Sequence, residues 1–215
     1  MRTGYPRFFI HRLIEVLARH ICEKAQHESS STQMVMLFPG RGYALQCERY
    51  LTYHAAKDCA MNVSIRTVSL ALKSPHTPLQ TPGVQWEHAE LHAVLYPFDL
   101  YPLAKSFWQH TGFGISSRYA EFCMDRIDDL QTQTFPGSPT PGWERACTST
   151  PATEDEEIKS TIRRRIAKLA SGDKCALEEK DVYLFQSGMS AISTIAQALH
   201  TNHESEGPLK IVAYG

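Results

Sequence analysis

The stretch Val182-Tyr183-Leu184-Phe185-Gln186-Ser187-Gly188-Met189-Ser190-Ala191-Ile192 sets the reading of the whole chain. Val182 to Phe185 is a short apolar run, which predicts a strand. A glycine turn follows. Ile192, Ile195, Ala196 and Leu199 then recur at i, i+3, i+4 and i+7, the period of an amphipathic helix. Lys210 to Ala213 predicts a second strand. Strand, glycine turn, helix and strand make one βαβ crossover, the building block of a parallel sheet. At such a turn glycine lets the backbone approach a ligand, and the first amides of the helix have no internal partners. A phosphate placed there collects those N–H groups and the positive end of the helix, with the Ser187 or Ser190 hydroxyl as a further donor. By spacing alone the signal is unspecific, because one glycine between strand and helix is common.

Working towards the N-terminus, Thr153 and Glu156 read as a capping box, with Glu154, Asp155 and Glu157 in the same first turn. Ile158, Ile162, Ile166 and Leu169 are spaced as one buried stripe of that helix, while Arg163, Arg164, Arg165 and Lys168 read as a solvated face. The preceding segment, about 132–153, is dominated by Pro, Gly, Ser and Thr and reads as a long mobile insertion.

The first half carries its own pattern. Ile10, Leu13, Ile14, Leu17 and Ile21 form a helical stripe. Met34 to Phe38 is a compact apolar strand stopped by Pro39-Gly40, and a helix follows over about 43–57. Val63 to Leu70 is β-branched and reads as a strand. Glu90 to Tyr96 predicts another, closed by Pro97, and Asp99 to His110 a short helix before Thr111-Gly112. The expectation is an α/β chain, with a small α/β domain over 1–112 and a second unit over 113–215.

Composition narrows the function classes. The chain has 215 residues, 22 Lys+Arg against 23 Asp+Glu, 42% hydrophobic and 21% charged residues. That is a globular composition, and a net charge of −1 argues against a general nucleic-acid binder. No apolar run approaches the ~20 residues of a membrane span. The six cysteines are scattered without Cys-x-x-Cys spacing, which suits reduced thiols and a cytoplasmic protein. Arg2, Arg7 and Arg12 precede any acid, a faint transit-peptide feature, but Glu15 and Glu23 fall within the same helical pattern.

The residue identities at 182–192 add more than their spacing does. They resemble the phosphate-binding segment of the Cys/Met-metabolism family of pyridoxal-phosphate enzymes, where a Ser-Gly-Met turn opens a helix. The resemblance implies that the Gly188 and Met189 amides, beside Ser187, hold the phosphate of pyridoxal 5'-phosphate. Ser116-Ser117-Arg118-Tyr119 resembles the family's Tyr-Ser-Arg segment, whose arginine reaches the phosphate of a neighbouring subunit's cofactor. Arg118 fits that arginine, and a guanidinium suits bidentate phosphate binding. Ser116 stands at the tyrosine position, and Glu121-Phe122 at the usual Asn-Pro. The layout is most similar to the fungal cystathionine gamma-synthase branch, with an N-terminal region ahead of the cofactor fold.

On that resemblance 113–215 is the start of a fold-type I pyridoxal-phosphate transferase domain. The implied reaction is γ-replacement on an O-acylhomoserine by cysteine, in methionine biosynthesis by transsulfuration. A homo-oligomer and small amino-acid substrates are implied too. None of the nine lysines has the family's Ser-x-Thr lead-in for the Schiff-base lysine, so no catalytic residue is assigned. The expectation is therefore an N-terminal portion of a longer enzyme, inactive as a fragment. The alternative is a non-catalytic interaction or regulatory module with a vestigial cofactor segment.

Other signals are weaker. Phe38-Pro39-Gly40-Arg41-Gly42 lacks the remaining residues of a P-loop or dinucleotide fingerprint. His88 and His92 would share a helix face as metal ligands, but the segment reads as a strand with no third ligand. Cys47 and Cys59 have no adjacent base in sequence that would make a nucleophile.

Overall fold

The computed structural model of the chain describes residues 9–26, 33–58, 64–72, 90–133, 153–172 and 176–202. Helix α1 (Arg12–Gln26) is followed by β1 (Gln33–Phe38), α2 (Arg41–Asp58), β2 (Arg66–Leu72) and β3 (Glu90–Pro97). A 3-10 turn at Phe98–Leu100 leads into α3 (Tyr101–Thr111), and α4 (Ser117–Met124) and β4 (Leu130–Gln133) complete this part. The later elements are α5 (Thr153–Ala170), a second 3-10 turn (Glu179–Asp181) and α6 (Gly188–Asn202).

The four strands form one sheet in the order β1-β3-β2-β4, and every pair is antiparallel. β3 lies inside the sheet, Met34 opposite Tyr96 on one side and Val68 opposite Ala93 on the other. Its Leu91 to Tyr96 run is buried throughout, because helices cover both faces of the sheet. Val35, Leu37, Leu91 and Leu95 point to the layer made by Leu17 and Ile21 of α1 and Cys123 of α4. Met36, Phe38, Val94 and Tyr96 point to the other layer, with Cys47 and Leu51 of α2 and Phe107 of α3. This two-residue alternation is what a strand covered on both faces requires.

The α1 stripe buries as its spacing predicts: Leu17 and Ile21 are buried and Leu13 and Ile14 pack against the same cluster. α3 ends at Gly112, which takes the left-handed conformation (φ 64°) and returns its N–H to the Trp108 carbonyl. Glycine is the residue that adopts this helix end without a Cβ penalty.

Three expectations change. Neighbouring strands of the sheet are antiparallel, and Val182–Phe185 forms no strand, so the expected crossover through 182–202 is not formed among the described residues; 210–213 lies outside them. The one βαβ unit there is β1-α2-β2, two parallel strands with β3 between them. The stripe of α5 is not buried: Ile158 is 59% and Leu169 86% exposed, and Ala167 is the buried position. On α6, Ile192 and Ile195 are likewise exposed, whereas Ser190 is buried. The helical period is right in both, but no described element covers the apolar face.

The packing also passes through residue 112 without a break. α4 packs on α1, and β4 pairs with β2, Leu130 opposite Leu72. Residues 132 and 133, read as the start of the Pro-rich insertion, belong to that strand; 134–152 lie outside the described residues.

Candidate functional site

The turn that opens α6 is closed by two serines. Ser187 Oγ accepts from the Ser190 amide at 3.0 Å, and Ser190 Oγ accepts from the Ser187 amide at 3.1 Å. Ser190 Oγ also donates to the Ser187 carbonyl at 2.8 Å, and the first helical bond runs from the Ala191 amide to the same carbonyl. This is the reciprocal logic of a capping box built from two hydroxyls. It leaves the amides of Gly188 and Met189, the first two of the helix, without an intrahelical acceptor. Gly188 is exposed, and a β-carbon there would meet nothing within 4 Å.

The turn is held by a distant part of the chain. Ser187 Oγ donates to the Gly112 carbonyl at 3.1 Å, and Gln186 Nε2 donates to the same oxygen at 3.3 Å. α6 thus docks on the C-terminal end of α3. The fit is close: a β-carbon at Gly112 would stand 2.8 Å from Met189 Cβ and 2.9 Å from the Ser190 amide nitrogen.

Ser187, Gly188 and Met189 are therefore brought together at an open helix N-terminus. The hydroxyls of Ser187 and Ser190, read as possible extra donors, are already engaged within the cap. Arg118 is an exposed residue of α4, and no hydrogen bond or ion pair joins it to the 187–190 turn among the described residues. Ser116, at the position aligned with the family's tyrosine, caps α4 by accepting from the Tyr119 amide at 3.1 Å. Gly112 escaped the sequence reading as a site residue because Thr111-Gly112 signals a helix stop whether or not anything docks on it.

Upstream of α6, Arg163 bonds Glu156 within α5 and ties the helix to the second 3-10 turn through Glu179 at 3.3 Å. A hydrogen bond with Ser160 leads in holding the Glu179 carboxyl below its ordinary value, partial burial opposes it, and the Arg163 and Arg164 guanidinium groups add to the lowering.

The weaker candidates have structural places. His92 is fully buried on β3, its Nδ1 2.7 Å from Ser69 Oγ. Its Nε2 lies 3.3 Å from the Glu90 carboxylate without hydrogen-bond alignment. Burial lowers its pKa, the Glu90 charge opposes this and Arg41 adds to it. Gly40 precedes α2, its carbonyl accepting from the Ala44 amide at 3.3 Å. Cys47 is buried, and burial pushes its thiol far up, with Glu48 adding to the shift. His88 and Cys59 lie outside the described residues. Among the described residues no group of three His, Cys, Asp or Glu side chains is placed to hold a metal ion. No described helix is long and apolar enough to cross a membrane.

Comparison with known proteins supplies the relationship. Residues 13–116 match a family model described as the fungal trans-sulfuration enzyme N-terminal domain. A cystathionine gamma-synthase of Neurospora crassa is 38% identical over 134 residues, 60% of this chain and 21% of that protein. An alanine racemase of Aspergillus violaceofuscus is 30% identical over 222 residues, 93% of this chain and 37% of that protein. A cystathionine gamma-synthase-like protein of Aspergillus thermomutatus is 29% identical over 228 residues, 100% of this chain and 37% of that protein. The chain thus spans 21% to 37% of the length of these relatives. No solved structure matches it.

Proposed function

Because residues 13–116 of this chain belong to the fungal trans-sulfuration enzyme family, we propose that the chain is the N-terminal portion of a cystathionine gamma-synthase-like enzyme that uses pyridoxal 5'-phosphate. The whole protein would join cysteine to an O-acylhomoserine by γ-replacement, in methionine biosynthesis, as a cytoplasmic homo-oligomer. The observation that carries the reading is the cap itself. Ser187 and Ser190 satisfy one another and leave the Gly188 and Met189 amides free at the positive end of α6, a donor set that fits a phosphate.

In this reading each group has a defined task. The Gly188 and Met189 amides bind phosphate oxygens. Ser187 does not bind directly but fixes the turn, through the Gly112 carbonyl on one side and the Ser190 amide on the other. Arg118, exposed on α4, supplies its guanidinium to the site of an adjacent subunit. When bound, the cofactor supplies the electron sink for carbanion chemistry. The lysine that moves protons is not among the nine of this chain in a fitting context, so the chain alone does not turn over substrate.

The test is a substitution at the first helical position. Gly188→Pro deletes one amide while proline suits that position of a helix. In the protein translated from its full transcript, retention of pyridoxal phosphate should fall roughly tenfold, the size of one charge-assisted hydrogen bond. Cystathionine formation from O-acylhomoserine and cysteine, followed by mass spectrometry, should fall with it. Undiminished cofactor retention in the variant would reject the phosphate assignment. Absence of any cofactor binding by the wild type would favour a non-catalytic module.

A further inference from the structure

Among the described residues β1 is an edge strand with β3 as its one neighbour, and the side of it that faces away from β3 opens into a cavity of about 430 Å³. In an antiparallel pair the N–H and C=O of one residue point the same way, alternately towards the partner and away from it. The Gln33 carbonyl accepts from Cys22 Sγ at 3.1 Å, and the Leu37 carbonyl from the Ile115 amide at 3.3 Å. Neither donor belongs to β3, so the odd-numbered residues turn their backbone groups outwards. Val35 lies between these two and lines the cavity. Its N–H and C=O face that space, and no hydrogen bond engages them among the described residues.

The cavity has the makings of a small-molecule site. Ile10, Ile14, Ala18, Met34, Tyr101 and Trp108 give it apolar walls. Tyr96 also lines it, fully buried, with a hydroxyl that has no partner among the described residues; leaving such a group unpaired carries a free-energy cost. Glu15 and Arg19, one turn apart on α1, are exposed lining residues that bring one charge of each sign to the opening. The free edge is short, because Cys22 occupies one end and Ile115 the other. A multi-residue strand therefore has no room, whereas a single residue-like unit does.

We propose that this cleft binds an α-amino acid with a large apolar side chain. Its ammonium and carboxylate are separated by one carbon, as the N–H and C=O of one extended residue are, so they match the Val35 pair: ammonium to the Val35 carbonyl, carboxylate to the Val35 amide. Arg19 and Glu15 complement the same two charges, and the side chain enters the apolar walls towards the Tyr96 hydroxyl. The site uses only the sheet and the helices around it. It does not depend on the cofactor reading, and either can fail without the other.

The probes are L-phenylalanine, L-leucine and L-methionine, titrated into the 215-residue chain by calorimetry, with the backbone amides followed by NMR. The expected result is saturable binding of at least one of them, with a shift of the Val35 amide. For that amino acid, the amine lacking the carboxylate and the acid lacking the ammonium should each bind at least about fivefold more weakly, each having lost one polar contact. Ile14→Trp should fill the cleft and abolish binding, and Tyr96→Phe should weaken it severalfold while leaving the melting temperature unchanged or higher. No binding of any of the three at about 10 mM would overturn the proposal. So would equal binding of the truncated probes, or a Val35 amide that stays unmoved at saturation, a readout that needs no variant to fold.

Discussion

Ser187 sits so close against Gly112 that a side chain there would collide with its hydroxyl. The serine Oγ donates to the Gly112 carbonyl at 3.1 Å, and the same oxygen would stand 2.7 Å from a β-carbon at residue 112. The absence of a side chain at Gly112 is thus what lets the N-terminal turn of α6 settle on the end of α3.

Gly112→Ala should loosen that dock. The residue sits at φ 64°, which costs a non-glycine residue about 1–2 kcal/mol, and overlap with Ser187, Met189 and Ser190 adds roughly 1–3 kcal/mol unless α6 moves away. Urea unfolding should report a loss of about 2–5 kcal/mol, or, where α6 detaches first, a separate early transition. Hydrogen exchange would then speed up in 188–202 ahead of the sheet. Unchanged exchange there would contradict the dock.

Ser187→Ala removes both the cap acceptor for the Ser190 amide and the donor to Gly112. The loss should be about 1–2 kcal/mol, the usual size of an N-cap deletion. Combined with Gly112→Ala the two changes should be clearly less than additive, since either one breaks the same contact. Strict additivity in the double-mutant cycle would mean that the serine acts on its own helix only.

His92 should make the fold acid-sensitive from an unusual side. Burial holds its folded pKa below the ordinary value, Arg41 acts in the same direction, and Glu90 opposes both. Above pH ~6.5 the ring is neutral in both the folded and the unfolded chain, so it contributes no pH dependence. As pH falls below that value the unfolded chain takes up a proton that the folded one refuses, and stability drops by up to about 1.4 kcal/mol per pH unit until the folded pKa is reached. Urea midpoints between pH 7.5 and 5 should therefore fall more steeply for the wild type than for His92→Asn. Parallel curves would show that His92 takes up its proton in the fold as readily as in the unfolded chain, against the lowered value.

The three described cysteines should be inert. Cys22, Cys47 and Cys123 are all buried, and burial raises each thiol. For Cys123 the value is pushed up to about 11 despite the opposing hydrogen bond from Tyr119 and the charge of Arg126. At pH 8 about one thiol in a thousand is then ionised. Iodoacetamide followed by peptide mass spectrometry should leave all three unmodified in the native chain and label them in urea. Rapid native labelling of Cys47 would show that α2 opens readily.

The reach of sequence pattern differs between α1 and α5, although both carry clear helical stripes. Leu17 and Ile21 are buried because α1 lies across the sheet, and Ile158 and Ile162 are exposed because no described element covers that face of α5. Periodicity states which side of a helix is apolar; it does not supply the surface that covers it. The 182–185 run shows the same limit for strands. Its residues are apolar enough to pair, yet a strand exists only where a partner is hydrogen-bonded to it. β4 and α4 went unread for the opposite reason: Leu130–Gln133 and Ser117–Met124 are too short for a periodic signal, and pairing with β2 and packing on α1 define them.

By itself the amino-acid sequence determined what depends on neighbours within a turn or two: the α1 stripe, the apolar β1 and β3 runs, the glycine stop at 112, and the Ser187-Gly188-Met189 turn at the head of a helix. The tertiary structure decided what depends on distant partners. It set the antiparallel order β1-β3-β2-β4, the exposure of the α5 and α6 stripes, the docking of Ser187 on a carbonyl 75 positions earlier, and the outward-facing backbone of Val35 beside an apolar cleft. The physical reason is that local conformation is selected by short-range sterics and hydrogen bonding. Long-range pairing must offset the entropy of closing the loops between its parts, and only the sum of contacts over the whole fold settles which pairing does so.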